Sequence, residues 1–96
     1  MRRAARTDGN QTEIVSALRA IGASVSPTHA IGGGFPDLVV GFRKRSVLFE
    51  VKDPKQPPNK RKLTDDEAIW FGNWKGEAYV IETAEQAIAI LMGETA

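Results

Sequence analysis

The chain has 96 residues, with 13 lysines and arginines against 12 aspartates and glutamates for a net charge of +1. That is one small domain, and not a polycation that would hold nucleic acid by bulk charge. Cysteine is absent, which excludes a disulfide framework and a thiolate metal site and suits a reducing cytoplasm. No apolar run approaches the roughly 18 residues of a membrane span, and the opening MRRAARTDGN has no apolar signal core. Charge is clustered all the same. Arg2, Arg3 and Arg6 open the chain, and Lys52, Lys55, Lys60, Arg61 and Lys62 follow one another in its middle. Such patches suit one face meeting an anionic partner; a solvated, solubilising loop is the plainer alternative.

The spacing of Ile14, Ala17, Leu18 and Ile21 predicts a first helix over residues 10–21, ended by Gly22. Residues 23–31 hold a weak strand pattern broken by Pro27. Gly32-Gly33-Gly34 is a loop that permits close backbone approach. Residues 37–42 and 46–52, rich in Val, Leu and Phe, read as two strands. Pro54, Pro57 and Pro58 end the second one, and residues 55–62 form a mobile basic loop. Thr64-Asp65-Asp66-Glu67 is a capping box that starts a helix with Ile69, Trp70, Phe71 and Trp74 on its apolar side, closed by Gly76. Residues 78–81 are a short strand. Thr83-Ala84-Glu85-Gln86 is a second capping box, opening a last helix with Ala87, Ile88 and Leu91 inside. The predicted order is α-β-β-β-α-β-α in a single domain over residues 1–96.

Three ionisable residues, Asp37, Glu50 and Lys52, interrupt the two apolar central strands. Side chains in a strand alternate faces. Leu38, Val40 and Phe42 therefore share one face with Val47, Phe49 and Val51. Asp37, Val39 and Gly41 share the other with Ser46, Leu48, Glu50 and Lys52. A two-residue turn at Arg43-Lys44 sets Asp37 opposite Glu50; a turn at Lys44-Arg45 sets Asp37 opposite Lys52. Either register gathers the three charges on one face, at the end of the hairpin far from the turn. An odd loop breaks the arrangement unless a bulge compensates. Two neighbouring carboxylates repel unless protonated or bridged by a cation. Mg²⁺ takes one or two carboxylates and keeps water and phosphate for its remaining positions. It can activate a water and stabilise charge on a phosphoryl oxygen, and an adjacent lysine can orient or deprotonate that water. A simple ion pair of Lys52 with Glu50 or Asp37 is the alternative.

At these residues the sequence resembles the virus-type replication-repair nuclease (VRR-NUC) domain of the PD-(D/E)XK nuclease superfamily. The resemblance extends beyond the three charges. It includes Asp8-Gly-Asn-Gln-Thr-Glu-Ile14 with Leu18-Arg19 and Gly22, then Gly33-Gly-Phe-Pro-Asp-Leu38 with Gly41, then Phe49-Glu-Val-Lys-Asp53. It continues through Leu63-Thr64, Trp74-Lys-Gly76 and residues 84–87. What it implies is a restriction-endonuclease-like α/β core, a mixed sheet flanked by helices, with Mg²⁺- or Mn²⁺-dependent phosphodiester hydrolysis leaving a 5′-phosphate. Asp37 and Glu50 are the implied metal ligands, with the Val51 carbonyl as a third, and Lys52 is the implied catalytic lysine. Glu13 matches the first-helix carboxylate of such sites. Short standalone members are similar to homodimeric Holliday-junction resolvases of DNA recombination and repair, placed in the cytoplasm, the host's where the source is viral. One position departs: Glu67 stands where the family pattern carries Gln, so Glu67 is an accessory candidate only.

Other residues have plainer alternatives beside a site role. Glu13 also fits as the third residue after an Asn10 cap, and Glu67 as the acid of its capping box. Lys55, Lys60, Arg61 and Lys62, with Arg43 and Lys44 in the turn, are candidates for phosphate contact, which positions DNA without reading sequence. His29, the only histidine, fits a strand or loop better than a general base. Trp70, Phe71 and Trp74 are expected in the core or a dimer interface rather than as base-stacking platforms. The expected function is metal-dependent endonucleolytic cleavage of branched DNA, four-way junctions foremost, by a homodimer without a membrane segment. A flap, nick or duplex nuclease, or a non-catalytic DNA-binding subunit, are the alternatives.

Overall fold

The structure, a computed structural model, describes residues 9–93. The basic arm of Arg2, Arg3 and Arg6 lies outside the described residues. The elements run α1 (Gln11–Ala20), β1 (Ser24–Pro27), β2 (Leu38–Phe42), β3 (Arg45–Val51), α2 (Asp65–Asn73), β4 (Ala78–Ile81) and α3 (Ala84–Leu91). This is the predicted order. Short 3₁₀ turns at His29–Ile31 and Pro58–Lys60 fill two of the connections.

The four strands form one mixed sheet in the order β1-β2-β3-β4. β1, β2 and β3 are antiparallel neighbours, and β4 joins β3 in parallel after the α2 crossover. Pro27 does not prevent β1 from pairing. It sits at the last position of an edge strand, where a missing amide costs the ladder little. Leu38, Val40, Val47, Phe49 and Val51 are all fully buried on one sheet face. Ile14, Val15 and Leu18 of α1 and Ala87 and Leu91 of α3 complete this single core. Burying such side chains stabilises the fold by about 1.5–3 kcal/mol each.

Two polar devices lock the frame. Arg45 donates from Nε and Nη2 to the Glu77 carboxylate at 3.1 and 2.5 Å. Its Nη1 also donates to the carbonyls of Ile90 and Leu91, closing the C-terminal end of α3. At the other end of the sheet, Asn10 Nδ2 donates to the carbonyls of Lys52 and Glu82, tying the start of α1 to the segments that follow β3 and β4.

α2 differs from the expectation in two ways. It ends at Asn73 rather than near Gly76, with Trp74 already extended. Gly72 and Asn73 are both poor helix formers. It also buries no residue fully, so Trp70, Phe71 and Trp74 are not core. They form an aromatic ladder at the surface instead. Trp70 stacks on Trp74 with centroids 4.8 Å apart and meets Phe71 and Phe35 edge to face. The basic segment is likewise more ordered than a mobile loop, because Lys60 and Arg61 amides donate to Pro57 and Pro58 within a 3₁₀ turn.

One contact that places α2 is at Gly34, in the loop before β2. Its φ is +86°, and a Cβ there would collide with the Asp66 carbonyl in the first turn of α2. Gly34→Ala is therefore expected to destabilise the protein by on the order of 2 kcal/mol and to shift α2. Thermal melting, with tryptophan fluorescence reporting on Trp70 and Trp74, checks both.

Candidate active site

The β2–β3 turn consists of Arg43 and Lys44, both with positive φ (52° and 68°), as a two-residue type I′ turn demands. Its register pairs Phe42 with Arg45 and continues without a bulge to Leu38 opposite Phe49. Asp37, one step further, faces Glu50. The first of the two registers open in the sequence is the one adopted.

Asp37 Oδ2 accepts a hydrogen bond from the Val51 amide at 2.8 Å. That bond extends the pairing past the end of β2 and holds the carboxylate across the strand. Glu50 is only 3% exposed and Lys52 only 7%. The Lys52 ammonium donates to Glu67 Oε1 at 2.8 Å and lies 3.3 Å from Glu50 Oε2. Glu67 arrives from α2 by way of the capping box. Its amide donates to Thr64 Oγ1 at 3.2 Å, and its Oε1 accepts from the Thr64 amide at 2.9 Å. The capping oxygen and the oxygen that holds Lys52 are the same atom. The capping and site roles of Glu67, alternatives in the sequence, coexist.

The Lys52 ammonium thus sits between the carboxyl groups of Glu50 and Glu67, with the third carboxyl, Asp37, facing Glu50 across the strand pair. Burial, then the charges of Asp37 and Glu67, push the Glu50 carboxyl up to about 9. Burial also raises Asp37, although the Val51 amide works against it. Burial opposes the Lys52 charge, but the Glu67 hydrogen bond and the Glu50 and Glu67 charges outweigh it and hold that pKa above the ordinary lysine value. Burial opposes ionisation of Glu67 as well, and bonds from Lys52 and the Thr64 amide reverse the balance and lower it. Glu50 Oε1 is buried without a hydrogen-bond partner among the described residues.

Other candidates lie elsewhere. Glu13 is exposed and lines a separate groove of about 360 Å³ with Asn10, Asp53, Lys55 and Glu82. Gln11, not Glu13, is the buried polar residue of the first turn, 6% exposed with Oε1 unpartnered among the described residues. Its spacing to Ile14 and Leu18, three and seven residues on, marked it as inward-facing. Arg61 lies 3.6 Å from Glu82, while Lys55, Lys60 and Lys62 are exposed. Arg43 and Lys44 stand at the opposite end of the hairpin from the carboxyl groups. His29 lies in the 3₁₀ turn after β1.

Among the described residues, no set of three or more His, Cys, Asp and Glu side chains is arranged to hold a metal ion by itself. Asp37 and Glu50 as a pair, with the orphaned Glu50 oxygen, fit a hard divalent cation that keeps several of its own ligands.

The buried carboxyl has a consequence for stability. Folded Glu50 keeps its proton to about pH 9, whereas its unperturbed value is 4.5. Its contribution is therefore complete below pH 4.5 and is lost as pH rises towards 9. Denaturant titrations from pH 4.5 to 9 are expected to show Glu50→Gln gaining on the wild type as pH rises; a constant difference would contradict the burial argument. Set against family models, curated proteins and solved structures, the chain matches none.

Proposed function

We propose that this chain is a metal-dependent DNA endonuclease whose active site is the Asp37, Glu50, Lys52 and Glu67 cluster. The observation that carries the reading is the charge imbalance there. An ion pair needs one carboxylate for Lys52, but the fold sets two against it, adds Asp37 opposite Glu50, and leaves one Glu50 oxygen buried and unpartnered among the described residues. Stability alone gives no reason to collect them, because an uncompensated buried carboxyl costs several kcal/mol.

Asp37 and Glu50 are the residues to hold Mg²⁺ or Mn²⁺, with the Val51 carbonyl adjoining them. Such an ion supplies an acidified water and charge stabilisation on phosphoryl oxygens. The Val51 amide orients Asp37, and the buried strand beneath fixes Glu50. Lys52, held by Glu67, presents its ammonium beside the carboxyl pair, where it can orient water or offset charge developing on phosphate. Lys55, Lys60 and Lys62 follow directly on the site strand and suit contact with flanking phosphates.

Branched DNA, four-way junctions in particular, is the proposed substrate, and a cytoplasmic homodimer the proposed form. The dimer is supported by apolar surface on α2 and on the edge strand β4, where Ile69 is 64%, Trp74 41% and Val80 43% exposed. A two-fold dimer matches the two-fold symmetry of a junction. No helix among the described residues is long and apolar enough to cross a membrane.

Cleavage assays on four-way, flap and linear DNA in Mg²⁺ and Mn²⁺ test the reading. Asp37→Ala, Glu50→Ala and Lys52→Ala are each expected to reduce cutting at least about 100-fold while DNA binding persists. Full Mg²⁺-dependent cutting by Glu50→Ala would sink the mechanism. Mg²⁺ or Mn²⁺ should also raise Tm more at pH 8 than at pH 6, because binding competes with the Glu50 proton. Glu50→Gln should blunt that rise.

A further inference from the structure

The turn end of the hairpin carries a second constellation, separate from the carboxyl cluster. Ser24, Gly41 and Ser46 are cross-strand partners in one row over β1, β2 and β3. They lie on the same sheet face as Asp37 and Glu50, by strand alternation. Ser24 and Ser46 are exposed and Gly41 is half-buried between them, and the row floors an open concavity of about 390 Å³. Arg43 and Lys44 form its rim, both exposed, and no carboxylate among the described residues pairs with either. The Arg43 guanidinium rests over the ring of Phe42, a core-face residue, 4.9 Å from its centroid, so it flanks the turn rather than the floor.

The choice of these two residues is at odds with the backbone. Both turn positions have positive φ, where Asn-Gly is favoured and long side chains are strained. Arg45, the next residue, is fully engaged with Glu77 and the end of α3. Arg43 and Lys44 make no ion pair among the described residues. A strained turn that keeps two cations, unpaired among the described residues, beside a floor of small residues points to an anion that comes close to the sheet edge.

We propose that this concavity is a second contact for the DNA sugar-phosphate backbone, with Arg43 and Lys44 neutralising phosphates at the turn, beside the Ser24, Gly41 and Ser46 floor. Its floor at Ser46 lies roughly 13 Å from Glu50 along β3, at about 3.3 Å per residue, on the same face as the cleavage site. A duplex arm leaving the site can be held there. The inference rests on DNA being the substrate, and it deepens that reading by placing a binding locus away from the chemistry.

The test is the double variant Arg43→Asn/Lys44→Gly, which installs the preferred type I′ sequence and so cannot be dismissed as misfolding. Fluorescence anisotropy in EDTA, on a labelled duplex and a labelled four-way junction, reads affinity against salt. The Tm of the double variant is expected to equal or exceed that of the wild type. Its affinity at low salt is expected to fall at least about tenfold, and the slope of log K against log salt to become shallower by about two, close to 0.9 per lost phosphate contact. Ser46→Glu, which sets a negative charge on the floor, should weaken binding in the same direction. Unchanged affinity and slope in the double variant would overturn the proposal. A protein that cuts no DNA, yet loses affinity through these substitutions, would overturn the nuclease reading and support this one. A protein that binds neither DNA would overturn both.

Discussion

The two-residue turn at Arg43-Lys44 fixes the parity of the β2–β3 hairpin, and the candidate site depends on that parity. Five strand pairs carry the register from the turn to Leu38 and Phe49 without a bulge. One residue more in the turn would have moved Asp37 out of line with Glu50 or sent one of them into the core. The core side leaves no room for such a change. Leu38, Val40, Val47, Phe49 and Val51 are fully buried there, and a slip would expose all of the members from one strand. Hydrophobic burial on one face thus enforces the placement of charge on the other. The Asp37–Val51 hydrogen bond is the last rung of the same ladder, made with a side chain in place of a backbone carbonyl.

Charge placement then creates its own tension. Glu50 cannot ionise cheaply beside Asp37 and Glu67 in a dry setting, and Lys52 offsets only part of the repulsion. Without another cation, the lowest-energy arrangement keeps a proton on Glu50. A divalent cation replaces that proton with a charge matched to both carboxylates, so the feature that destabilises the free protein at high pH is the one that would favour metal. A structural salt bridge would be built the other way, with charges balanced and every oxygen bonded.

The sheet and its polarity were legible in the sequence because both rest on local signals. Alternation in residues 37–42 and 46–52, a basic two-residue turn and two capping boxes gave element order and the shared face of Asp37, Glu50 and Lys52. The choice between the two turn registers was not legible. Arg-Lys and Lys-Arg are equally unsuited to positive φ, so composition could not rank them. Gln11 carries no charge to single it out in the sequence, and only its helical phase relative to Ile14 and Leu18 places it inside. The exposure of Trp74 and the incomplete burial of Trp70 were hidden because aromatic content signals burial only when an element has something to cover it, and that is a tertiary fact. The link between Thr64, Glu67 and Lys52 was hidden likewise, since a capping box predicts its own two hydrogen bonds and not a third.

That third bond gives α2 its place in the site. The helix buries no residue fully, so apolar packing alone does not anchor it. It is held by close backbone approach at Gly34, by the Phe35–Trp70 edge contact and by Glu67 on Lys52. Two of these three start from the loop that precedes Asp37, and the third ends on the lysine after Glu50. The helix is therefore fastened to the site rather than to the core. Any change in the charge of the Glu50–Lys52–Glu67 group alters one of the few contacts that position α2, and any displacement of α2 withdraws the acceptor that steadies Lys52. Site electrostatics and helix docking are two sides of one equilibrium, because the fold assigns both to the same carboxylate oxygen.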